Sequence, residues 1–218
     1  MIEWKKIDTV FLDMDGTLLD LHFDNHFWQE LIPLKYADRH QLTLNQAKTV
    51  LVPLFKSMEG KLEWYCLDYW SQQLQLDIAA IKLEVSNLIA VLPHALDFLE
   101  RLKQSRHRVI LVTNAHQKTL GIKMAKTCLQ DFFDGIICAH DLGVAKENPS
   151  FWQRLQAIEP FHIQHTLLID DSLAVLNSAR NYGIDHLLSI NKPDSQLANR
   201  EIEEFLAIQD FREIMPGL

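Results

Sequence analysis

The sequence contains little that would cross-link the chain or hold a structural metal. It has three cysteines, Cys66, Cys128 and Cys138, and none of them stands in a CxxC spacing. An odd number of widely separated cysteines argues against a disulfide framework and a zinc site, and favours a reducing compartment. The ten histidines are scattered and form no HExxH pattern, so the helical zinc-protease motif is absent.

Long apolar runs and an excess of positive charge are also missing. No apolar stretch approaches the roughly 18 residues that span a bilayer, and residues 1–6 carry charges instead of a signal-peptide apolar region. The net charge is -8, so we expect the surface to repel nucleic-acid phosphates. We therefore predict a cytoplasmic protein without a membrane or nucleic-acid partner. Nothing in the sequence implies a protein partner.

What the sequence does contain is a regular alternation of two patterns. Of its 218 residues, 48% are hydrophobic and 23% charged, as in ordinary globular domains. Short runs of Val, Ile and Leu alternate with stretches of helical spacing, which predicts parallel strands buried between layers of helices. The predicted strands are residues 8–13, 108–113, 135–139, 166–169 and 185–190. The predicted helices are residues 93–104, 116–129, 149–158 and 172–182, and residues 200–204 are interpreted as a solvated helix face.

Residues 20–92 interrupt this alternation. They are mainly helical in pattern and contain no clear Val/Ile strand. We interpret them as a helical cap domain inserted after the first strand. The predicted fold class is α/β, with a Rossmann-like parallel-sheet core formed by residues 1–19 and 93–218.

Two carboxylates follow the first predicted strand in the run Asp13-Met14-Asp15-Gly16-Thr17. In sheets of this kind, ligands bind beyond the carboxyl ends of the strands. Like charges so close together cost energy unless a cation or a proton offsets them. By itself the run could be a turn with solvated acids, but it predicts a charged site at this edge.

Polar residues also follow the later strands. Thr113-Asn114 could hold phosphate oxygens or cap a helix, and Lys146 could balance phosphate charge. The pair Asp170-Asp171 follows the fourth strand and, with Asp13, would make an oxygen-rich site suited to Mg²⁺. Because parallel strands end at the same edge, we expect these groups to meet there.

Taken together, these motifs resemble the four motifs of the haloacid dehalogenase-like hydrolase superfamily, and the resemblance covers the whole chain. It implies a Mg²⁺-dependent phosphomonoester hydrolase in which Asp13 attacks phosphorus and Asp15 is the general acid and base. Thr113 and Lys146 would stabilise the phosphoryl oxygens. The implied metal-binding residues are Asp13, Asp15, Asp170 and Asp171. One departure is Glu147, where the family often has proline after the lysine; it adds negative charge beside the site.

The cap carries the only indication of the substrate. Within the family, the stretches DLHFDNHFW (residues 20–28) and LEWYCLDYWSQQLQL (residues 62–76) resemble the cap of bacterial GMP/IMP nucleotidases. This implies a purine 5′-nucleotidase and a small-molecule phosphomonoester as partner. The rings of Trp64 and Tyr65 could stack on a purine, and Asn25, just past the cap entry, and Asn114 could also contact the substrate. The two aromatic residues could instead pack inside the cap, and Asn25 could belong to a turn.

Three other hypotheses stay open from the sequence. One is a phosphatase for a sugar phosphate or phosphoglycolate, and the second is a sugar phosphomutase, which passes the phosphoryl group to a sugar instead of water. The third is a catalytically idle binding protein on the same fold. Asp13, Asp15 and Lys146 are all present, which argues against this last hypothesis.

Overall fold

The centre of the protein is a six-stranded parallel sheet. The computed structural model describes residues 2–217. The strand order is β3-β2-β1-β4-β5-β6, and every neighbouring pair is parallel. The strands are β1 (Thr9–Leu12), β2 (Arg108–Thr113), β3 (Gly135–Cys138), β4 (Thr166–Asp170), β5 (His186–Ile190) and β6 (Leu206–Ile208).

Helices cover the sheet on both faces, as the continuous apolar strands require. The helices are α1 (His22–His26), α2 (Ile32–His40), α3 (Leu44–Lys56), α4 (Leu62–Tyr65), α5 (Leu67–Leu74), α6 (Ile78–Glu84), α7 (Ala95–Lys103), α8 (Gln117–Thr127), α9 (Ala139–Leu142), α10 (Pro149–Ile158) and α11 (Leu173–Tyr182). Successive side chains of β1 point to opposite faces of the sheet and so identify its two apolar layers. Val10 packs in the apolar cluster that holds Leu99 of α7, whereas Phe11 packs in the cluster that holds Trp152 of α10. Each such buried side chain stabilises the fold by about 1.5–3 kcal/mol.

The segment between β1 and α7 is helical, as the sequence predicts. Helices α1 to α6 lie in it, and a π-helical turn (Phe27–Leu31) joins α1 to α2. The segment has its own apolar core around Phe27, Leu51 and Trp70. We call residues 20–92 the cap; its boundaries as a separate domain stay a prediction.

Two sequence-based expectations near the C-terminal end are wrong. Residues 200–204 form no helix, and Arg200 instead donates hydrogen bonds to the carbonyl oxygens of Ile190 (2.6 Å) and Asp171 (2.8 Å). Strand β6 was not predicted, because three residues with an exposed first side chain leave too short a pattern to recognise. Within residues 2–217, no helix is long and apolar enough to cross a membrane.

Candidate active site

The motif residues meet at the carboxyl edge of the sheet. Asp13 directly follows β1, whereas Thr113 and Asp170 are the last residues of β2 and β4. The backbone N–H of Asp13 donates to the carbonyl of Ile169 at 3.0 Å, which continues the ladder to the start of the site. Parallel pairing therefore brings acids that are 157 positions apart in the chain to one edge, as the order of the motifs predicts.

A tight turn follows Asp13 and is closed by main-chain hydrogen bonds. The carbonyl of Met14 accepts from the N–H groups of Leu18 and Leu19, at 3.0 and 2.8 Å. Gly16 lies inside this turn with φ of +78°, and a Cβ atom there would meet the Asp171 carboxylate at 2.7 Å. The turn therefore holds the main chain close to the second acid pair.

Lys146 lies buried at the centre of the site. Its Nζ donates to Asp13 Oδ1 at 2.6 Å, to Asp170 Oδ2 at 2.7 Å and to the carbonyl of Val112 at 2.9 Å. These three bonds use all three of its N–H donors. Burial by itself would lower the pKa of Lys146, but the carboxylates of Asp13 and Asp170 outweigh it and raise the pKa above the usual range. The residue is therefore a fixed positive charge.

The acids around Lys146 carry more negative charge than it can balance. Burial raises the pKa of Asp13 to about 6; Lys146 opposes this shift and the charge of Asp170 adds to it. Burial also raises the pKa of Asp170, and it raises that of Asp171 well above the usual range, with the charge of Asp170 adding to the shift of Asp171. Arg200 is the other cation nearby, 3.8 Å from Asp171.

This donor set fits a magnesium ion. Oxygen atoms of Asp13, Asp170 and Asp171 all lie within 4.8 Å of one another. Carboxylate oxygens are the ligands that Mg²⁺ prefers, and a divalent cation would offset the charge left after Lys146. The carboxylate of Asp15 is not in this cluster, so the predicted contribution of Asp15 to a metal site would come from its main-chain carbonyl.

Asn114 and Glu147 connect the lysine loop to the cap. The side-chain oxygen of Asn114 accepts from the backbone N–H of Lys146 at 2.9 Å, and its Nδ2 donates to Glu147 Oε2 at 2.9 Å. The Tyr65 hydroxyl donates to Glu147 Oε1 at 2.5 Å. The negative charge that Glu147 adds beside the site is therefore held by two donors. Both ends of the Asn114 amide hold protein groups, and its oxygen helps to position Lys146; the predicted substrate contact of Asn114 stays a prediction.

Thr113 keeps a donor for a ligand. Its side chain is buried, and its hydroxyl oxygen accepts from the backbone N–H of Ala115 at 3.0 Å. Because a hydroxyl is both acceptor and donor, its O–H remains free to donate to a further oxygen. This geometry is compatible with the predicted phosphate contact.

A buried chain of charges behind Asp15 was not predicted from the sequence. Lys123 donates to Asp15 Oδ1 and to Asp24 Oδ2, and Lys82 donates to Asp24 Oδ1, each at 2.5 Å. The one feature of the sequence that could have indicated a buried Lys123 is its helical spacing. It lies three residues after the buried Leu120, on the inner face of α8.

Burial and the same chain of charges together set the direction of the pKa shift of Asp15. Burial raises the pKa of Asp15 to about 6; Lys123 opposes the shift, whereas the charges of Asp24 and Asp13 add to it. For Asp24, burial acts upwards, but Lys123 and Lys82 outweigh it and hold the pKa well below the usual range. Asp24 is thus a permanent negative charge near a carboxyl group that can titrate.

A cavity of about 910 Å³ lies between the cap and the core, beside Asp15. Trp64 and Tyr65 line it together with Asp15 and Asn25. Trp64 also packs against Trp28, with ring centroids 6.4 Å apart. The Asn25 side chain donates to Asp194 Oδ2 at 2.7 Å, a contact that the sequence did not predict. The proposed ligand contacts and the packing role are therefore both compatible with these positions.

Comparison with known proteins identifies the family of this site. Residues 7–183 match the haloacid dehalogenase-like hydrolase family. The chain belongs to this family. It is also similar to the GMP/IMP nucleotidase YrfG of Escherichia coli strain K12, with 38% identity over 217 residues that cover 100% of this chain and 98% of YrfG. The prediction of an enzyme of this hydrolase family is confirmed.

Solved structures of haloacid dehalogenase (HAD) proteins share the fold. The HAD phosphatase from Thermococcus onnurineus matches with a TM-score of 0.76 and 18% identity, over 95% of this chain and 96% of that one. The HAD-hydrolase YfnB from Bacillus subtilis, solved bound to magnesium, matches with a TM-score of 0.65 and 22% identity over the same shares. At these identities the likeness concerns the fold alone, and it confirms the predicted fold class.

Proposed function

We propose that this hydrolase is a Mg²⁺-dependent phosphomonoesterase that cleaves purine 5′-nucleotides, IMP and GMP in particular. The observation that carries the chemistry is the buried Lys146 between Asp13 and Asp170, with the Asp171 carboxylate beside them. The similarity to YrfG over the full chain supports the choice of substrate. We also propose the cytoplasm as its compartment, on the sequence grounds above.

In the proposed reaction Asp13 is the nucleophile. Its carboxylate oxygen forms a bond to phosphorus while the bond to the ester oxygen breaks, which leaves an aspartyl-phosphate. Asp15 protonates the departing oxygen and then takes a proton from the water that hydrolyses the intermediate. A carboxyl group with a pKa of about 6 suits both steps near neutral pH.

The remaining site residues hold charge and position. Asp13, Asp170 and the main-chain carbonyl of Asp15 would hold Mg²⁺, with Asp171 beside them. When bound, the ion screens the repulsion between the attacking carboxylate and the phosphate dianion. Thr113 donates its free O–H to a phosphoryl oxygen. Lys146 acts as a nearby positive charge, because its three donors are already used.

The cavity supports a substrate with an aromatic base. Its volume of about 910 Å³ lies within the range of about 300–1,000 Å³ that is usual for small-molecule sites. The side chains of Trp28 and Trp64 on its cap side offer apolar ring surface, whereas Asp15 reaches it from the core. We propose that the purine ring rests against these aromatic residues.

The test is phosphate release from a panel of phosphomonoesters with Mg²⁺. The panel holds IMP, GMP, AMP, pyrimidine nucleotides, sugar phosphates and phosphoglycolate, and it compares wild type with Asp13→Asn. Asp38→Asn is the matched control, because Asp38 is an exposed acid of α2. We expect a preference for IMP and GMP that Asp13→Asn abolishes and Asp38→Asn leaves unchanged.

Each other outcome selects another hypothesis. A preference for sugar phosphates or phosphoglycolate keeps the mechanism and overturns the nucleotide substrate. Absence of release from the whole panel favours a phosphomutase or an idle binding protein. Near-normal release by Asp13→Asn removes that residue as the nucleophile.

A further inference from the structure

A second cluster of metal-ligating side chains lies between the cap and the core. Cys66 stands between α4 and α5 in the cap, His116 precedes α8, and His140 lies in α9. One ligand atom from each of them lies within 4.8 Å of the other two. The rings of the two histidines meet edge to face, with centroids 4.9 Å apart. The cluster shares no residue with the carboxylate cluster of Asp13.

His140 presents an unused nitrogen in this cluster. Its Nδ1 faces the sulfur of Cys138 at 3.9 Å, whereas its Nε2 is buried and has no hydrogen-bond partner among residues 2–217. A buried polar atom without a partner costs free energy that a bound ligand would recover. Burial, with the charge of His116 adding, lowers the pKa of His140 to about 4, so its ring is neutral near pH 7.

The other two side chains make only long contacts, which a metal could replace. His116 Nδ1 accepts from the backbone N–H of Lys118 at 3.3 Å, and binding a metal through either ring nitrogen would end this hydrogen bond. Cys66 Sγ accepts from the backbone N–H of Tyr69 at 3.4 Å. Burial also lowers the pKa of His116, which favours the neutral ring that binds metals.

We propose that Cys66, His116 and His140 form a zinc-binding site that joins the cap to the core. One thiolate and two imidazoles are the donors that Zn²⁺ accepts, whereas Mg²⁺ requires oxygen. The carboxylate of Asp68 lies 3.8 Å from His116 Nε2 and also pairs with Lys118. The wide spacing of the cysteines argued against a zinc site, but the fold brings together residues that are 50 and 74 positions apart.

Zinc at this site would hold the cap against the core. His116 lines the cavity, and Cys66 directly follows Tyr65, which also lines it. Substrate entry and product release can require the cap to move away from the core. A metal bound to residues of both would oppose this movement. Zn²⁺ therefore inhibits turnover without competing for the carboxylate site. This consequence rests on the proposed function, whereas the metal site does not.

The site is tested with Co²⁺ as a spectroscopic substitute for Zn²⁺, on the full chain with saturating Mg²⁺ to fill the carboxylate site. We expect one Co²⁺ per chain and a thiolate-to-cobalt charge-transfer band that Zn²⁺ abolishes. Cys66→Ser loses the band, whereas Cys128→Ser, which changes an exposed thiol, keeps it. His140→Ala weakens Zn²⁺ binding by at least about tenfold, and circular dichroism checks that each variant is folded.

Several results would overturn the proposal. Wild-type protein without a thiolate band, or a band that survives in Cys66→Ser, would remove Cys66 as a ligand. A band that is lost only in Cys138→Ser would move the metal to another cysteine. Should His140→Ala not fold, His116→Ala gives the same comparison. Zn²⁺ binding without inhibition of phosphate release would refute the clamping role and keep the site, and the spectra do not depend on hydrolysis.

Discussion

Replacing Gly16 by alanine is expected to damage the site at two points at once. Gly16 has φ of +78°, a conformation that L-residues adopt at a cost, and its missing Cβ leaves room for the acid pair after β4. An alanine Cβ would lie 2.7 Å from both Cγ and Oδ2 of Asp171 and 3.0 Å from Cβ of Pro193. Either the turn after Asp13 or the Asp171 carboxylate must move.

The variant Gly60→Ala separates the cost of the left-handed backbone from the cost of the close contacts with Asp171 and Pro193. Gly60 has φ of +76°, but a Cβ atom there would meet nothing within 4 Å. A left-handed non-glycine residue costs about 1–2 kcal/mol, and the lower entropy of the unfolded chain returns about 0.4–1 kcal/mol. Gly60→Ala is therefore expected to cost about 1 kcal/mol. Gly16→Ala adds about 1–3 kcal/mol for overpacking, which gives about 2–4 kcal/mol in all.

The assay is urea unfolding of both variants, with and without Mg²⁺. We expect Gly16→Ala also to reduce the stabilisation by Mg²⁺, because the displaced carboxylate belongs to the proposed metal cluster. An Asp171→Ala background removes the two closest atoms and leaves only Pro193 Cβ at 3.0 Å, so the total cost of Gly16→Ala should fall towards that of Gly60→Ala. If Gly16→Ala and Gly60→Ala lowered the free energy of unfolding equally, and the stabilisation by Mg²⁺ were unchanged, the close approach of Gly16 to Asp171 would be refuted.

Three further predictions concern the buried charges. Mg²⁺ should raise the melting temperature near neutral pH, because it offsets the buried carboxylates, and EDTA should reverse this rise; a melting temperature insensitive to both would contradict the metal site. The pKa of Asp13 is about 6 in the folded protein but about 4 in an unfolded chain, so without metal it favours folding more as the pH falls through that interval. Denaturation at several pH values should therefore show that the free energy of unfolding rises towards low pH, and that it rises less in Asp13→Asn. Equal pH dependence in the two proteins would contradict the raised pKa of Asp13. Lys123→Met should lower the free energy of unfolding by about 3–5 kcal/mol, since it leaves the Asp15 carboxylate without its cation and Asp24 with Lys82 alone. It should also raise the pKa of Asp15 whereas Asp24→Asn lowers it, so the alkaline limbs of their phosphate-release profiles should move in opposite directions; shifts in the same direction would refute the network.

The core of the fold could be predicted from the sequence because its signals are local and agree with one another. Runs such as residues 108–113 are apolar throughout, as strands buried on both faces must be, and they end in polar residues. The predicted ends of the first five strands differ from the observed ends by a residue or so. β6 could not be predicted in this way, because a three-residue strand at the sheet edge depends on its pairing with β5 more than on its own residues.

The effect of Glu147 shows where reasoning from the sequence stops. In the chain it directly follows Lys146, and simple proximity suggests a negative charge that weakens phosphate binding. In the fold its two oxygens accept from Asn114 and from Tyr65, which lies 82 positions away in the cap. The same residue that appeared to be a liability in the sequence thus connects the lysine loop to the cap, and only tertiary structure supplies that partner.

The buried ion pairs behind Asp15 explain why a motif indicates a candidate catalytic group but does not predict the pKa of that group. Lys123 belongs to a helix that also carries exposed lysines, and lysine on a helix is usually solvated, so its charge alone indicates nothing. Its position on the inner face becomes meaningful only once Asp24 of the cap is known to face it. Because Asp24 raises the pKa of Asp15 and Lys123 lowers it, the acid strength of Asp15 depends on the contact between two distant segments. A cap that moved away from the core would remove Asp24 and lower that pKa, so closure of the cap and protonation of Asp15 should be coupled.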